Sequence, residues 1–330
     1  MRALAVDAQS ARTGALVPLN PPDPEPRRGE LRVRVRASGV CRTDLHLLDG
    51  ELRAPSLPRI PGHQIIGEVD AVGPEVSIPI GARVGIPWLH SACGRCDACL
   101  RGQENLCPSA RFTGLDVDGG YAEYVLARSD FALRLPESAD PVRQAPLLCA
   151  GIIGYRSLRQ AKVVPGERVG LFGFGASAHI ALQILGHWGC EAYVFSRSPG
   201  HRRHALDLGA RWAGGAEEPL GEPLDAAVIF APVGHLVPLA LEHLRPGGRL
   251  AINAVYMSDL PSMPYSVIYG ERSVVSVAHA TRNDGRELLE LAQQIPIVTT
   301  VSTYPLKDAN RALADLRASS FNGQAVLIVD

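Results

Sequence analysis

The chain has 330 residues, of which 46% are hydrophobic and 20% are charged. This composition is typical of a well-packed globular protein, and the length predicts two domains. The 33 basic and 34 acidic residues leave a net charge of −1, which argues against nucleic-acid or anionic-membrane partners. No stretch approaches the roughly 18 uninterrupted apolar residues of a membrane span, and no signal-peptide pattern is present at the N-terminus. We therefore expect a cytoplasmic protein.

Short strands dominate the first part of the chain, up to about Pro146. The segment LRVRVRASG alternates apolar residues with basic or small ones, as a half-exposed strand does, and IIGEVDAVG and YAEYVLA look similar. Proline-rich turns such as PLNPPDPEP separate these segments. One short helix is expected near Asp44–Leu48. The pattern indicates a β-rich domain.

Strands alternate with helices in the second part of the chain. Five strand-like runs, ERVGLFGFG, EAYVFS, LDAAVIFA, RLAINAV and RSVVSVA, are separated by helical segments such as ASAHIALQILGHWG. This alternation indicates βα units and a parallel sheet. From about Ile297 the β-rich character returns. The sequence therefore predicts an α/β chain in which a doubly wound parallel-sheet domain, residues 146–295, interrupts a β-rich domain made of residues 1–145 and 296–330.

The segment GLFGFGASAH joins the first of these strands to the helix that follows. Gly173, Gly175 and Ala178 form a G-x-G-x-x-A pattern. The first glycine permits a tight turn, the second lets the backbone approach a pyrophosphate, and the small third residue keeps the helix close to the strand. The helix N-terminus then attracts phosphate. Glycines at such a turn can be purely structural, but the surrounding βα units favour a dinucleotide site.

The end of the next strand bears on which nicotinamide cofactor binds. NAD-binding folds place Asp or Glu there to accept a hydrogen bond from the ribose 2′-hydroxyl, whereas this chain has Ser196. Arg197 and Ser198 follow, with Arg202 and Arg203 close by. A carboxylate would repel a 2′-phosphate, while arginine and hydroxyl groups bind it. The sequence favours NADP(H). The alternative is that these are solvated loop residues and that NAD(H) is the cofactor.

Cysteines form the most conspicuous chemical cluster. Four of the seven lie between Cys93 and Cys107, in the segment ACGRCDACLRGQENLCP. Disulfides are rare in a reducing compartment, so the cluster is interpreted as a metal site.

Five motifs follow one another along the chain in the order GVCRTDLH, PGHQIIG, ACGRCDACLRGQENLC, LLCAGIIGY and GFGASAH. This order resembles the zinc-dependent alcohol dehydrogenase family of the medium-chain dehydrogenase/reductase superfamily. The resemblance implies a GroES-like catalytic domain and a Rossmann-fold dinucleotide-binding domain.

The resemblance implies two zinc ions per chain, one structural and one catalytic. The structural ligands are Cys93, Cys96, Cys99 and Cys107, in a lobe at about residues 90–110. A Cys₄ zinc site is closed and has no open position for a substrate, and Gly94 and Gly102 would supply its tight turns. The C-x₂-C-x₂-C run followed by a later C-P also resembles an iron–sulfur ligand pattern, although the wide gap before Cys107 favours zinc.

The catalytic zinc ligands implied by the resemblance are Cys41, His63 and Cys149. Three protein ligands and one open position are the composition of a catalytic site. By the same resemblance, Asp44 orients His63. Thr43 hydrogen-bonds the alcohol oxygen, and His46 is the outer end of a proton relay. Taken alone, Cys149 would be a packed core thiol and His63 an ordinary turn residue.

The remaining site residues are also carried over from the family. The substrate pocket is assigned Leu52 and Trp88, and the tryptophan would narrow the cleft to suit small or unbranched primary alcohols and aldehydes. The cofactor-binding residues implied are Arg42, Gly173, Phe174, Gly175, Ala176, Ser177, Ser196, Arg197, Ser198, Arg202, Ala231, Val255 and Ala278. A homodimer or homotetramer is expected, because both occur in the family.

Three positions depart from the commonest family pattern. Gln64 replaces a frequent glutamate, Ile153 a frequent threonine and Gln324 a common arginine. The turnover rate and the cofactor affinity of the family are therefore not carried over to this chain. The leading hypothesis is an NADP(H)-preferring zinc alcohol dehydrogenase for small primary alcohols and aldehydes. The alternatives are an NAD-linked polyol or secondary-alcohol dehydrogenase of the same family and a non-catalytic nucleotide-binding relative.

Overall fold

The chain divides into two units in a computed structural model that describes residues 1–330. Unit 1 contains Met1–Cys149, Ala280–Leu289 and Thr299–Asp330, and unit 2 contains Ala150–His279 and Glu290–Val298. The segment Ala280–Leu289 belongs to unit 1, whereas the sequence pattern assigned it to the inserted domain. Arg282 in this segment forms an ion pair with Glu104 of unit 1. The amphipathic pattern of the segment could not indicate this contact, because the two residues are far apart in the sequence.

Unit 1 is built mainly of strands joined by turns. Its strands are β1 (Ala3–Ala5), β2 (Val17–Leu19), β3 (Glu30–Val40), β4 (Ile65–Val72), β5 (Arg83–Ile86), β6 (Leu89–Ser91), β7 (Arg111–Phe112), β8 (Tyr124–Arg128), β9 (Leu133–Arg134), β16 (Val301–Pro305) and β17 (Gln324–Ile328). Its helices are α1 (Ser10–Thr13), α2 (Arg42–Leu48), α3 (Asp97–Leu100), α4 (Pro141–Gln144) and α11 (Ala309–Arg317), with 3₁₀ turns at Glu104–Leu106, Ala145–Leu148 and Leu306–Asp308. Helix α10 (Arg282–Gln294) begins in unit 1 and ends in unit 2.

Strand β3 is the centre of a seven-stranded sheet in unit 1. The order is β16-β17-β3-β4-β5-β9, and β8 also pairs with β3. All of these pairings are antiparallel except β16 with β17. Leu31, Val33 and Val35 are buried, while Arg32 and Arg34 on the other face are not. The apolar–basic alternation therefore predicted the buried face of β3 correctly.

Unit 2 alternates strands with helices. Its strands are β10 (Arg168–Phe172), β11 (Glu191–Phe195), β12 (Trp212–Gly214), β13 (Leu224–Ile229), β14 (Leu244–Ile252) and β15 (Ser273–Ser276). Its helices are α5 (Ala150–Gln160), α6 (Ala176–His187), α7 (Pro199–Asp207), α8 (Leu236–Glu242) and α9 (Tyr265–Ile268).

The strands of unit 2 form one parallel sheet in the order β12-β11-β10-β13-β14-β15. The order reverses between β10 and β13, which is the arrangement of a doubly wound fold, in which ligands bind outside the carboxyl ends of the strands. The predicted five strands are all present, and the sixth, β12, was missed because three residues are too few to show a period. None of the helices combines the length and the apolar character that a membrane-spanning helix needs.

Candidate active site and metal centres

The first site residue, Cys41, lies between the end of β3 and the start of α2. Its backbone N–H donates a 2.8 Å hydrogen bond to Asp44 Oδ2, so the carboxylate caps the first turn of the helix. The Cys41 Sγ lies 3.6 Å from Thr43 Oγ1. The short C-R-T-D segment therefore places a thiol, a hydroxyl and a carboxylate within one turn.

Cys41, His63 and Cys149 converge in unit 1 although they are far apart in the sequence. Each offers one ligand atom, and these three atoms lie within 4.8 Å of one another. His63 is only 1% exposed, and its Nε2 has no hydrogen-bond partner. A buried ring nitrogen without a partner is costly unless a ligand occupies it. The donor set fits a zinc ion held by two thiolates and one imidazole, with a fourth position open.

Asp44 is the residue that faces His63 from α2. Its Oδ1 lies 3.5 Å from His63 Nδ1 and accepts a 3.1 Å hydrogen bond from the Gly62 backbone N–H. The Tyr121 hydroxyl donates a 3.1 Å hydrogen bond to Asp44 Oδ2. Tyr121 is fully buried, and its role was missed because nothing in YAEYVLA distinguishes a site tyrosine from a core one. These donors fix the carboxylate so that it can orient the imidazole.

The ionisation of the three clustered residues is coupled. Burial lowers the pKa of His63, but the Asp44 carboxylate and the Cys41 thiolate outweigh this and raise the pKa to about 10. A hydrogen bond from the Cys149 thiol lowers the pKa of Cys41 well below its ordinary value, and the same contact raises that of Cys149. The cluster therefore stabilises a thiolate at Cys41, which is the form that binds a metal.

Aromatic rings lie beside the cluster. The Trp88 ring meets the His63 ring edge-on, with their centroids 4.7 Å apart, and Phe112 stacks on Trp88 at 5.1 Å. Trp88 is half-buried. Leu52 is held by a 3.0 Å hydrogen bond from its N–H to the His46 carbonyl. A tryptophan beside the histidine is a suitable wall for a small apolar substrate.

His46 follows Thr43 on α2 and is partly exposed. Its Nδ1 contacts the carboxylate of Glu51, which lies just beyond the end of the helix. Glu51 is itself exposed. The sequence motif indicated His46 but not Glu51, since a single glutamate after a helix is usually a solvated residue. Arg42, at the start of α2, is also exposed.

The second cluster consists of Cys93, Cys96, Cys99 and Cys107, whose sulfur atoms lie within 4.8 Å of one another. Gly94 and Gly102 have φ angles of 70° and 72°, so the tight turns expected there are present. Backbone N–H groups of Arg95 and Cys96 lower the pKa of Cys93 to about 6. Four convergent sulfurs fit a closed tetrahedral zinc site.

The cysteine lobe is also held by an ion pair. Arg282 Nη2 lies 2.6 Å from Glu104 Oε2, and the Arg282 backbone N–H donates to Glu104 Oε1 at 2.7 Å. The guanidinium also lies over the Phe131 ring, 4.1 Å from its centroid. The two side chains are 28% and 12% exposed. This contact was missed because the partners are far apart in sequence.

The glycine-rich turn of unit 2 has the geometry of a dinucleotide fingerprint. Gly173 has a φ of 93°, and a Cβ there would lie 2.9 Å from the Ala231 backbone nitrogen. A Cβ at Gly175 would meet nothing within 4 Å, so space is open above the start of α6. Ala178 is fully buried against the sheet. Phe174 is buried, while Ala176 and Ser177 begin the helix.

Ser196 lies directly after β11, where NAD-binding folds carry an acid. Its Oγ accepts a 3.3 Å hydrogen bond from the Ser198 N–H, and Ser198 caps α7 by accepting from the His201 N–H. Arg202 Nε donates to the Ser196 carbonyl at 2.6 Å. Arg197 and Arg203 are exposed. The expected hydroxyl and guanidinium groups therefore lie together in unit 2.

The other predicted positions differ in burial and in hydrogen bonding. Gln64 is fully buried and neither amide atom has a hydrogen-bond partner, whereas Gln324 Nε2 donates to the Val40 carbonyl at 2.8 Å. Ile153 is a half-buried residue of α5. Val255 and Ala278 are exposed. The roles predicted for these residues stay predictions.

Two family models match the chain. The Alcohol dehydrogenase GroES-like domain matches residues 27–137, and the Zinc-binding dehydrogenase model matches residues 178–294. The first match lies within unit 1 and contains both the Cys₄ lobe and two members of the Cys41 cluster. The second lies mostly within unit 2 and contains the loop after β11.

Relatives are similar over almost the full length. A Mycobacterium tuberculosis protein named "Probable alcohol dehydrogenase AdhA" is 47% identical over 96% of this chain and 94% of its own. An alcohol dehydrogenase of Geobacillus stearothermophilus is 38% identical over 92% and 93%. The cobalt- and zinc-bound alcohol dehydrogenase of Pyrobaculum aerophilum has a TM-score of 0.90 at 26% identity, over 99% of both chains. The chain therefore belongs to the zinc-dependent alcohol dehydrogenase family of the medium-chain dehydrogenase/reductase superfamily.

Proposed function

We propose that the protein interconverts small primary alcohols and aldehydes by hydride transfer with NADP(H), using a zinc ion held by Cys41, His63 and Cys149. Alcohol oxidoreduction is the activity of the family to which the chain belongs. The observation that carries the zinc assignment is the buried Nε2 of His63, which has no hydrogen-bond partner and lies beside two convergent thiols. A Cys₂His set with an open fourth position is a catalytic composition.

Bound zinc supplies Lewis-acid stabilisation of negative charge on the substrate oxygen, and the nicotinamide supplies the hydride donor or acceptor. The chain's own residues orient and move protons. Thr43 lies within one turn of Cys41 and is the group that would exchange a proton with the substrate oxygen. His46, in contact with the Glu51 carboxylate, would carry that proton to solvent. Asp44 holds the ring of His63 in position.

A second zinc ion is proposed for the lobe of Cys93, Cys96, Cys99 and Cys107. With all four positions taken by thiolates, this ion would stabilise the lobe and would have no open position for a substrate.

A location in the cytoplasm is also proposed. Both clusters consist of cysteines that form no disulfide, as is typical of proteins in a reducing compartment.

NADP(H) is favoured over NAD(H) by the groups after β11. A hydroxyl at Ser196 and guanidinium groups at Arg197 and Arg202 suit a 2′-phosphate, whereas a carboxylate at position 196 would repel it. One observation supports the NAD-linked alternative, which would act on a polyol or a secondary alcohol. The carboxylate of Glu218 lies 3.4 Å from Arg202 Nη1, and a negative charge there disfavours a 2′-phosphate.

A homo-oligomer, dimer or tetramer, is proposed from the edge of the unit 2 sheet. All four residues of β15 are exposed, including Val274 and Val275. Tyr265 and Tyr269, just before this strand, are 74% and 66% exposed. An uncharged apolar edge strand is a template for pairing with another strand, and a second copy of the same strand would give a two-fold interface. Light scattering coupled to gel filtration would measure the mass.

Steady-state kinetics test the substrate and cofactor assignment. Ethanol, propanol and benzyl alcohol, a secondary alcohol and a polyol would each be assayed with NADP⁺ and NAD⁺, and the aldehydes with NADPH and NADH. The proposal predicts the highest kcat/KM for a primary alcohol–aldehyde pair with NADP(H). Higher values with NAD(H) and a secondary alcohol or polyol would establish the alternative.

A further inference from the structure

The Arg202 guanidinium bridges two loops at the carboxyl end of the unit 2 sheet. Its Nε donates to the Ser196 carbonyl after β11, and its Nη1 lies 3.4 Å from Glu218 Oε1 after β12. The same Glu218 oxygen accepts a 2.7 Å hydrogen bond from the Gly215 N–H. Arg202 is 33% exposed and Glu218 is 53% exposed. The carboxylate therefore has a fixed position next to the one arginine that is anchored to Ser196.

The fold brings position 218 close to position 196. Strands β11 and β12 are parallel neighbours, and the Ser196 N–H donates a 2.8 Å hydrogen bond to the Gly214 carbonyl. The Glu218 N–H closes the following turn on the Gly215 carbonyl at 3.2 Å. A Cβ at Gly214 would lie 2.7 Å from Glu218 Oε2. The Trp212 ring would lie closer still, at 2.3 Å, so glycine at 214 leaves room for both this ring and the Glu218 carboxylate.

We propose that Glu218 determines cofactor specificity by opposing the 2′-phosphate of NADP(H). This inference rests on the proposed function, in which the groups around Ser196 recognise the 2′ position of the adenosine ribose. A guanidinium shared with a carboxylate cannot offer its full set of donors to a phosphate. The carboxylate also stays in place when Arg202 turns away, because Gly215 holds it, and like charges at such a site weaken binding. Glu218 therefore weakens the binding of NADP(H) relative to that of NAD(H).

The test compares Glu218→Gln with Glu217→Gln in the zinc-loaded protein. Glutamine at 218 keeps an oxygen acceptor for the Gly215 N–H, so the turn is preserved while the charge is removed. Glu217 is the exposed neighbour, and its substitution changes the net charge equally. Dissociation constants for NADPH and NADH would be measured by the fluorescence of the bound nicotinamide. Calorimetry with 2′,5′-ADP and with ADP would isolate the 2′-phosphate.

The expected result is that Glu218→Gln binds NADPH and 2′,5′-ADP about three- to tenfold more tightly, with NADH and ADP unchanged within about twofold. Glu217→Gln would leave all four affinities near those of the unmodified chain. Equal effects of the two substitutions, or equal tightening of NADPH and NADH, would overturn the inference.

The failure of the proposed cofactor preference would look different. That preference concerns the ratio of NADPH to NADH affinity in the unmodified protein, whereas the Glu218 inference concerns the change in this ratio on substitution. A protein that prefers NADH and shifts towards NADPH on Glu218→Gln refutes the first and supports the second. If Arg202→Gln leaves the affinities for NADPH and 2′,5′-ADP unchanged, Arg202 does not contact the 2′-phosphate and the Glu218 inference fails.

Discussion

Asp44 and His63 face each other in the interior of unit 1, with Asp44 Oδ1 3.5 Å from His63 Nδ1. Three other donors hold the carboxylate: the N–H groups of Cys41 and Gly62 and the hydroxyl of Tyr121. A metal bound at His63 would therefore be held by an imidazole whose orientation is set by a buried, fully satisfied carboxylate. Such partners typically contribute about 10- to 100-fold in metal affinity.

Replacing Asp44 with Asn should weaken binding of the metal at Cys41, His63 and Cys149 by about 10- to 100-fold, because the amide can no longer stabilise the ring orientation through a negative charge. Competition with a chromophoric chelator would measure this affinity. Tyr121→Phe is the matched control, since it removes one of the donors to the carboxylate and leaves the charge. It should weaken binding less than Asp44→Asn, and equal or larger loss would contradict the role given to Asp44.

Replacing Glu51 with Gln should lower kcat at pH 7 by about tenfold, because the contact with His46 Nδ1 would no longer hold the ring ready to pass a proton to solvent. Added imidazole should restore part of the lost rate by carrying the proton instead. The KM for the cofactor should change little. A loss of activity that imidazole does not restore would indicate a structural effect of the substitution.

The stability of unit 2 should depend on His179, which is buried in α6. Burial lowers its pKa from 6.5 to about 4, although the Gly175 carbonyl opposes the shift. Between these pH values the unfolded chain binds a proton that the folded chain does not. The neutral form of His179 therefore contributes about 3 kcal/mol to the free energy of unfolding above about pH 6.5. This contribution is lost as the pH falls towards about 4.

Denaturation of the parent chain and of His179→Gln at several pH values would measure this contribution. The difference in free energy of unfolding between the two proteins should shrink or reverse as the pH falls from 7 to 4. His187→Gln is the control, since His187 lies on the same helix but is exposed. A His179→Gln difference that is constant over this range would show that the histidine does not resist protonation.

Replacing Glu104 with Gln should destabilise the cysteine lobe by about 1–3 kcal/mol, because the half-buried Arg282 guanidinium loses the closer and more buried of its two carboxylate partners and keeps only Asp130, 3.7 Å away. Metal should be lost from this lobe to a chelator faster than in the parent chain. Asp97→Asn is the control, since the Asp97–Arg101 pair of the same lobe is 90% and 67% exposed and should contribute less than about 1 kcal/mol. Equal rates of metal loss in both variants would contradict the role of the Arg282 contact.

The elements that the sequence predicted well are those specified by local patterns. The alternation in β3 has a period of two, and the turn at Gly173 needs a positive φ that only glycine adopts easily. The four cysteines of the lobe are close in sequence, so their convergence follows from short turns. These features depend on neighbouring residues alone.

The parts that could not be predicted are contacts between distant segments. Tyr121 and Asp44 are 77 residues apart, and Arg282 and Glu104 are 178 apart. Neither pair has a periodic or spaced signature, because each depends on which loops the finished sheets bring together. The Cys41, His63 and Cys149 set also lacks a local signature, and only the resemblance to a known family indicated it. The Glu218 contact depends on β12, a strand too short to predict.

The most direct measurement of the central claim is the metal content of Cys41→Ala. The parent chain should contain two zinc ions per chain, and Cys41→Ala should contain one and lose alcohol turnover while keeping its fold by circular dichroism. Cys190→Ala, which removes a cysteine outside both clusters, should keep two ions and full activity. Retention of alcohol turnover in Cys41→Ala, or of both zinc ions, would contradict the assignment of Cys41, His63 and Cys149 as the catalytic metal site.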